Sequence, residues 1–192
     1  MEVLNVVAIL VAGLMVGCEL AIAVFIHPTL DKLPDEAHLP AASALARVLG
    51  TVMPFWYAIG FSLILAEAVI AWRQSGILPI WFAASSILWM LVIVYTITTL
   101  VPINNRIASW EKFTPPADWK TYRTKWDSHH RRRVALLTIA FAILVAGILW
   151  RKLLQARFAC RTNRDREEEI KCQRQQARPV HWLPTISAAP WL

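Results

Sequence analysis

Four stretches of this chain run for 17 to 25 residues with almost no charge, and that pattern limits the fold more than any other feature. A helix rises about 1.5 Å per residue, so crossing a hydrocarbon layer of roughly 30 Å takes about 20 apolar residues. The stretches are 3–26, 53–72, 77–101 and 134–150. The first holds Asn5 and Glu19 as its only strongly polar residues, and the second holds Glu67. The third and fourth are uncharged. The fourth is the shortest, and its flanking arginines can snorkel to complete a span. The first begins Met1-Glu2-Val3, without a cationic leader, and is too long for a signal peptide, so it is expected to stay attached.

Composition agrees. The chain is 57% hydrophobic and 17% charged, more apolar and less charged than soluble domains. That excludes a disordered chain, and three cysteines are too few for a disulfide scaffold. The net charge of +7 would suit a nucleic-acid binder in a soluble chain. Here it reads as loop and tail chemistry at a lipid bilayer, with no nucleic-acid partner. The expected fold is all-α: a multi-pass, integral membrane four-helix bundle over 1–153. Residues 154–192 form a basic, mobile tail with a surface-binding tip at 180–192. Four spans put the N-terminus, second loop and tail on one side and the first and third loops on the other. Each side then carries ten Lys and Arg, so the positive-inside rule assigns no orientation.

The loops are patterned. After Pro28, Pro34 and Pro40, residues Leu45, Val48, Leu49 and Val52 repeat at helical spacing, which predicts a short interfacial helix after the first span. Pro102 ends the third helix or opens the loop that follows. Thr114-Pro115 reads as an N-cap and first helical position. Trp119, Tyr122, Trp126, His130 and Arg133 then form one stripe, so a long helix is expected to begin in water and enter the fourth span.

Glu19 and Glu67 are the ionisable groups inside spans, where a carboxyl is costly and a functional role is the default reading. Their heights differ by roughly 10 Å in antiparallel helices, so they do not form a dyad. His27 follows Glu19 by eight residues, roughly 80° around an ideal helix. Topology gathers Glu19, His27, Asn104, Arg106, Trp126, His129, His130 and Arg133 at one membrane face. Arg131 and Arg132 read as headgroup anchors, and Trp119 and Tyr122 as an aromatic belt. Gly13 and Gly17 form G-x-x-x-G, suited to close packing within the bundle or to an oligomer. There is no C-x-x-C, H-E-x-x-H, G-x-S-x-G or phosphate loop.

Taken together, Glu19, His27-Pro28, Pro102-Ile103-Asn104-Asn105-Arg106, and Trp126, His130 and Arg133 resemble the anthrone oxygenase-like family of membrane proteins. The resemblance covers residues 5–152 and implies a four-helix membrane oxygenase. Characterised fungal members oxidise polyketide anthrones to anthraquinones with molecular oxygen, so the implied partners are a small hydrophobic aromatic substrate and oxygen. One scaffold can host several activities. For such chemistry His27 or His130 suits a base, and Arg106, Arg133 or Asn104 an oxyanion stabiliser. Glu19 would orient a histidine, and Trp126 would stack on the substrate. Glu19, His27, Arg133 and His130 are the catalytic candidates; Asn104, Arg106 and Trp126 are those for substrate binding. The cofactor stays open: none, or copper or iron held by Glu19, His27, His129 and His130. The competing class is a non-catalytic membrane scaffold or partner subunit that binds lipid or protein at one face.

Overall fold

The computed structural model describes residues 2–75, 79–111 and 117–176. Among these, every regular element is helical. Two compact units divide the chain, Met1–Leu149 and Trp150–Leu192.

The first unit is a bundle of four rods. α1 (Glu2–Ala21) runs through a π-turn (Ile22–Ile26) into α2 (His27–Leu30). α3 (Asp35–Ser75) is a single 41-residue helix. α4 (Ile80–Tyr95) passes through a second π-turn (Thr96–Leu100) into α5 (Val101–Ala108). A short 3₁₀ turn (Ser109–Glu111) follows. α6 (Trp119–Gln176) is the last helix among the described residues. Among the described residues four helices, Glu2–Leu30, Asp35–Gln74, Ile80–Ala108 and Trp119–Lys171, are long and apolar enough to cross a membrane.

Where helix termini fell differently from the sequence reading, the cause is local. The stretch expected as a separate interfacial helix is helical, but it is the first half of α3, continuous with the second span. It is tied to the third rod: Ser43 Oγ donates to the Ala108 carbonyl (3.0 Å) and Asn104 Nδ2 to that of Ala46 (2.8 Å). Pro102 neither ends the third helix nor opens a loop; it occupies the first turn of α5, where its missing N–H costs little. The 154–176 part of the expected mobile tail is helical, being rich in Arg, Gln, Glu and Lys with no Gly or Pro. Thr114-Pro115 and the 180–192 tip lie outside the described residues. Trp119 is no belt residue: it is buried and packs edge-on against Trp110.

The interior is stitched by polar groups as well as packed. Trp56 Nε1 donates to the Val11 carbonyl (3.1 Å), Ser85 Oγ to that of Ala140 (2.9 Å) and Trp89 Nε1 to that of Tyr57 (3.3 Å). In apolar surroundings helices gain little from hydrophobic burial, so such bonds and close packing hold them together. Gly13 is one close-packing position, since a Cβ there would lie 3.1 Å from the Phe141 ring. Gly60 is tighter: a Cβ would lie 2.9 Å from the ring of Trp89, which is fully buried and cannot swing away. Gly60→Ala is therefore expected to lower stability by about 1–3 kcal/mol. Thermal unfolding in detergent checks this, and an unchanged midpoint would show that the ring has room to move.

Candidate active site

The site starts with a shift of helical register. His27 N–H bonds to the Ile22 carbonyl, an i→i−5 link that closes the first π-turn. Such a turn absorbs one extra residue. The eight residues from Glu19 to His27 then count as seven, and an offset of roughly 80° becomes about −20°. Both side chains face the bundle interior, Glu19 at 0% and His27 at 2% exposure. Pro28 follows at once, and the π-turn accommodates its missing N–H.

Glu19 anchors a network from three rods. Arg133 Nη2 on α6 donates to Glu19 Oε2 (2.7 Å). Tyr57 Oη on α3 donates to Glu19 Oε1 (3.0 Å). His130 Nε2 lies 3.2 Å from the Glu19 backbone carbonyl, which can only accept, so this nitrogen carries the proton. His130 Nδ1 is then the acceptor, and Arg133 Nη2 donates its other N–H to it (2.8 Å). Both nitrogens of His130 are thus engaged, and one guanidinium nitrogen is shared between a carboxylate and an imidazole. The 3.4 Å between His130 Nδ1 and Glu19 Oε2 separates two acceptors around that shared donor.

A second cluster lies beside the first. Trp126 stacks on His130 with ring centroids 4.9 Å apart and planes 7° apart. His27 meets Trp126 edge-on (4.7 Å) and His130 at a tilt (4.8 Å). His27 Nδ1 is 3.2 Å from Asp127 Oδ1, and Arg123 Nη2 is 3.1 Å from the same oxygen. The Arg123 guanidinium also lies over the Trp126 ring at 5.0 Å.

Next to these groups a cavity of about 280 Å³ opens between α3 and the third rod. Most of its lining is apolar: Leu49, Met53, Ile93 and Leu100 are examples. Its polar wall is Tyr57, Asn104, Asn105 and Arg133, with Trp126 beside them. Asn104 is fixed by its bond to Ala46, and the close approach depends on Gly50, where a Cβ would lie 2.8 Å from Asn104 Nδ2.

Five of the residues expected from sequence therefore meet: Glu19, His27, Trp126, His130 and Arg133. Asn104 joins them at the cavity. Arg106 does not; it is exposed, with its guanidinium 4.1 Å from the Tyr122 ring centre. His129 does not either. It precedes His130 by one position, about 100° away around the helix, and pairs with Tyr95 Oη through Nδ1 (2.7 Å). The ligand set Glu19, His27, His129 and His130 consequently does not converge, and among the described residues no three His, Cys, Asp or Glu side chains gather as a metal site. Glu67, ten residues beyond Tyr57, lies about 15 Å further along α3 and is buried there. Sequence reasoning missed Tyr57, Arg123 and Asp127. Arg123, Asp127 and His130 do share a 4-and-3 spacing that would have marked a polar extension of the stripe. Tyr57 carried no such signal.

Breaking the central pair strands a charge in an apolar interior. Arg133→Met is expected to cost about 3–5 kcal/mol. Adding Glu19→Gln should restore part of that, because the stranded carboxylate is then gone. Unfolding of the single and double variants in detergent reads the coupling, and simple additivity would mean that the two groups do not interact.

No curated protein and no solved structure matches the chain. The sequence model of the anthrone oxygenase family matches residues 42–143. Glu19 and His27 precede that segment, whereas Tyr57, Asn104, Trp126, Asp127, His130 and Arg133 fall inside it. Because the match spans more than half of the chain and carries most of the buried polar network, the chain belongs to the anthrone oxygenase family.

Proposed function

We propose that the protein is a multi-pass membrane oxygenase that converts a hydrophobic, anthrone-like aromatic into the corresponding quinone with molecular oxygen. The observation that carries this reading is the Glu19–Arg133 ion pair, bonded to Tyr57, with Arg133 and Tyr57 in the wall of an apolar cavity and Glu19 behind them. Family membership adds to it.

An anthrone has an acidic C–H opposite its ketone. In the cavity the ketone oxygen meets Arg133. The C–H proton passes to Tyr57 Oη as Tyr57 gives its own proton to Glu19. The negative charge moves from the carboxylate to the substrate oxygen and stays beside the same guanidinium. A preorganised cation in a site that excludes water favours this transfer. The electron-rich anthrolate gives electrons to oxygen, forms a C–O bond and becomes a peroxide, which takes the proton back from Glu19. Loss of the second C–H from that carbon breaks the O–O bond, and the departing hydroxide leaves as water with that proton. The sum is anthrone plus oxygen to anthraquinone plus water, without an added reductant.

His130 is a positioning residue here, since its nitrogens are taken up by Arg133 and the Glu19 backbone. His27 does not line the cavity and supports the stack on Trp126. The base role expected for these histidines passes to Glu19, acting through Tyr57. Oxygen and flat aromatics both partition into lipid, which suits a site within a bilayer.

The test is oxygen uptake and quinone absorbance with anthrone and purified protein, above the spontaneous oxidation. One quinone per oxygen consumed is expected, without free hydrogen peroxide. Glu19→Gln should lower kcat by about 10²- to 10⁴-fold. Wild-type protein no faster than the background would sink the reading, and full activity in Glu19→Gln would remove the base from Glu19.

A further inference from the structure

The cavity is open along one side, and the opening has a defined frame. Gly50, Pro54 and Ala58 stand at i, i+4 and i+8 on α3. Ile97, Val101 and Asn105 repeat that spacing on the third rod. All six line the cavity and all six are exposed, Ile97 at 59% and Val101 at 37%. Two parallel ridges thus border a slot. Behind it lie Met53, Tyr57 and Leu100, which are buried, with Trp126 and Arg133.

Both borders coincide with a break in helical regularity. Pro54 lacks an N–H, so the Gly50 carbonyl has no i+4 donor in the helix. On the facing rod, Val101 N–H bonds to the Thr96 carbonyl and closes the second π-turn. Irregular backbone at membrane depth is tolerated where it lines a cavity. The α3 border is also built from small residues, which leaves the gap. The slot's polarity is graded: Ala58 and Ile97 fall within the apolar stretches 53–72 and 77–101, whereas Asn105 lies past the end of the second of these.

We propose that this slot is a lateral portal through which a flat polycyclic aromatic passes between the bilayer and the cavity. The proposal rests on reading the cavity as the substrate site. Approach past residues 43–46 of α3 is closed, because Ser43 and the Ala46 carbonyl are bonded there to the third rod. An acyl chain would fill the apolar part but bring nothing to Arg133, Asn104 or Asn105. A flat ring system with a polar oxygen satisfies both ends.

The experiment uses the full chain in phosphatidylcholine nanodiscs and follows the time course and the saturation of tritiated 9,10-anthraquinone binding, corrected with empty discs. Ala58→Phe narrows the slot and should slow association at least tenfold. Ile59→Phe makes a bulky change at the adjacent position, which is 53% exposed but does not line the cavity, and should leave the association rate unchanged. Val101→Ala widens the slot and should speed association several-fold. A wild-type association rate in Ala58→Phe overturns the portal, and so does the absence of saturable binding to wild-type protein. If Ala58→Phe does not fold, an unchanged association rate in Val101→Ala overturns it. The two readings separate cleanly. Slowed association in Ala58→Phe with no anthrone oxidation by wild-type protein keeps the portal and removes the oxygenase. Anthrone oxidation that Ala58→Phe leaves intact does the reverse.

Discussion

The ion pair between Arg133 and Glu19 is the constraint on which the rest of this bundle depends. Either charge alone in the interior would cost several kcal/mol, and even a pair needs its remaining lone pairs and protons satisfied. Here they are shared out among rods: Tyr57 from α3 bonds one carboxylate oxygen, and His130 from α6 accepts the second N–H of the guanidinium nitrogen. The same imidazole reaches back to the backbone of α1 at Glu19. Three rods are therefore fixed by directional bonds at one level of the bundle. Such bonds specify position where apolar packing alone would tolerate sliding. The Trp126 stack and the polar wall of the cavity follow from where His130 and Arg133 are held.

That arrangement depends on two interrupted helices. Each π-turn comes just before a proline at the second position of the next segment, Pro28 after the first and Pro102 after the second. A proline inside an ideal helix forfeits a bond and clashes with the preceding turn. One extra residue relieves that conflict and rotates everything downstream by about a third of a turn. In the first rod the rotation brings His27 onto the face of Glu19. In the third it lies along the cavity, with Thr96, Ile97 and Leu100 in the lining. Backbone irregularity is concentrated where the polar network and the cavity are.

This explains what could and could not be read in advance. The four rods were legible because long uncharged runs have one solution. The stripe Trp126, His130, Arg133 was legible because a single periodicity carries it. Glu19 stood out as a carboxyl in an apolar run. The facing direction of His27 was not legible, since a period of 3.6 misplaces any residue that follows a π-turn. His129 and His130 look equivalent in sequence, yet adjacent helical positions diverge by about 100°, and only packing shows which one turns inward. The attachment of the first half of α3 to the third rod rests on bonds to residues 58 and 65 positions away, Asn104 and Ala108. Tyr57 was hidden because tyrosine in an apolar span more often serves packing or an interface than a site.

Tyr57 also bears on how such a site would work. A base in a dry cavity faces a difficulty, because taking a proton from carbon creates a new anion that water cannot solvate. Had a neutral histidine been the acceptor, a cation and an anion would both appear where there was neither. With Glu19 as the acceptor, the number of charges does not change. One anion beside Arg133 becomes another anion beside Arg133, and the phenol between them carries the proton. The local field need not reorganise, which is the condition under which fixed dipoles and charges are most effective. On the proposed reading, this is why the guanidinium is divided between a carboxylate and an imidazole: the imidazole holds it in place while the carboxylate's charge leaves and returns.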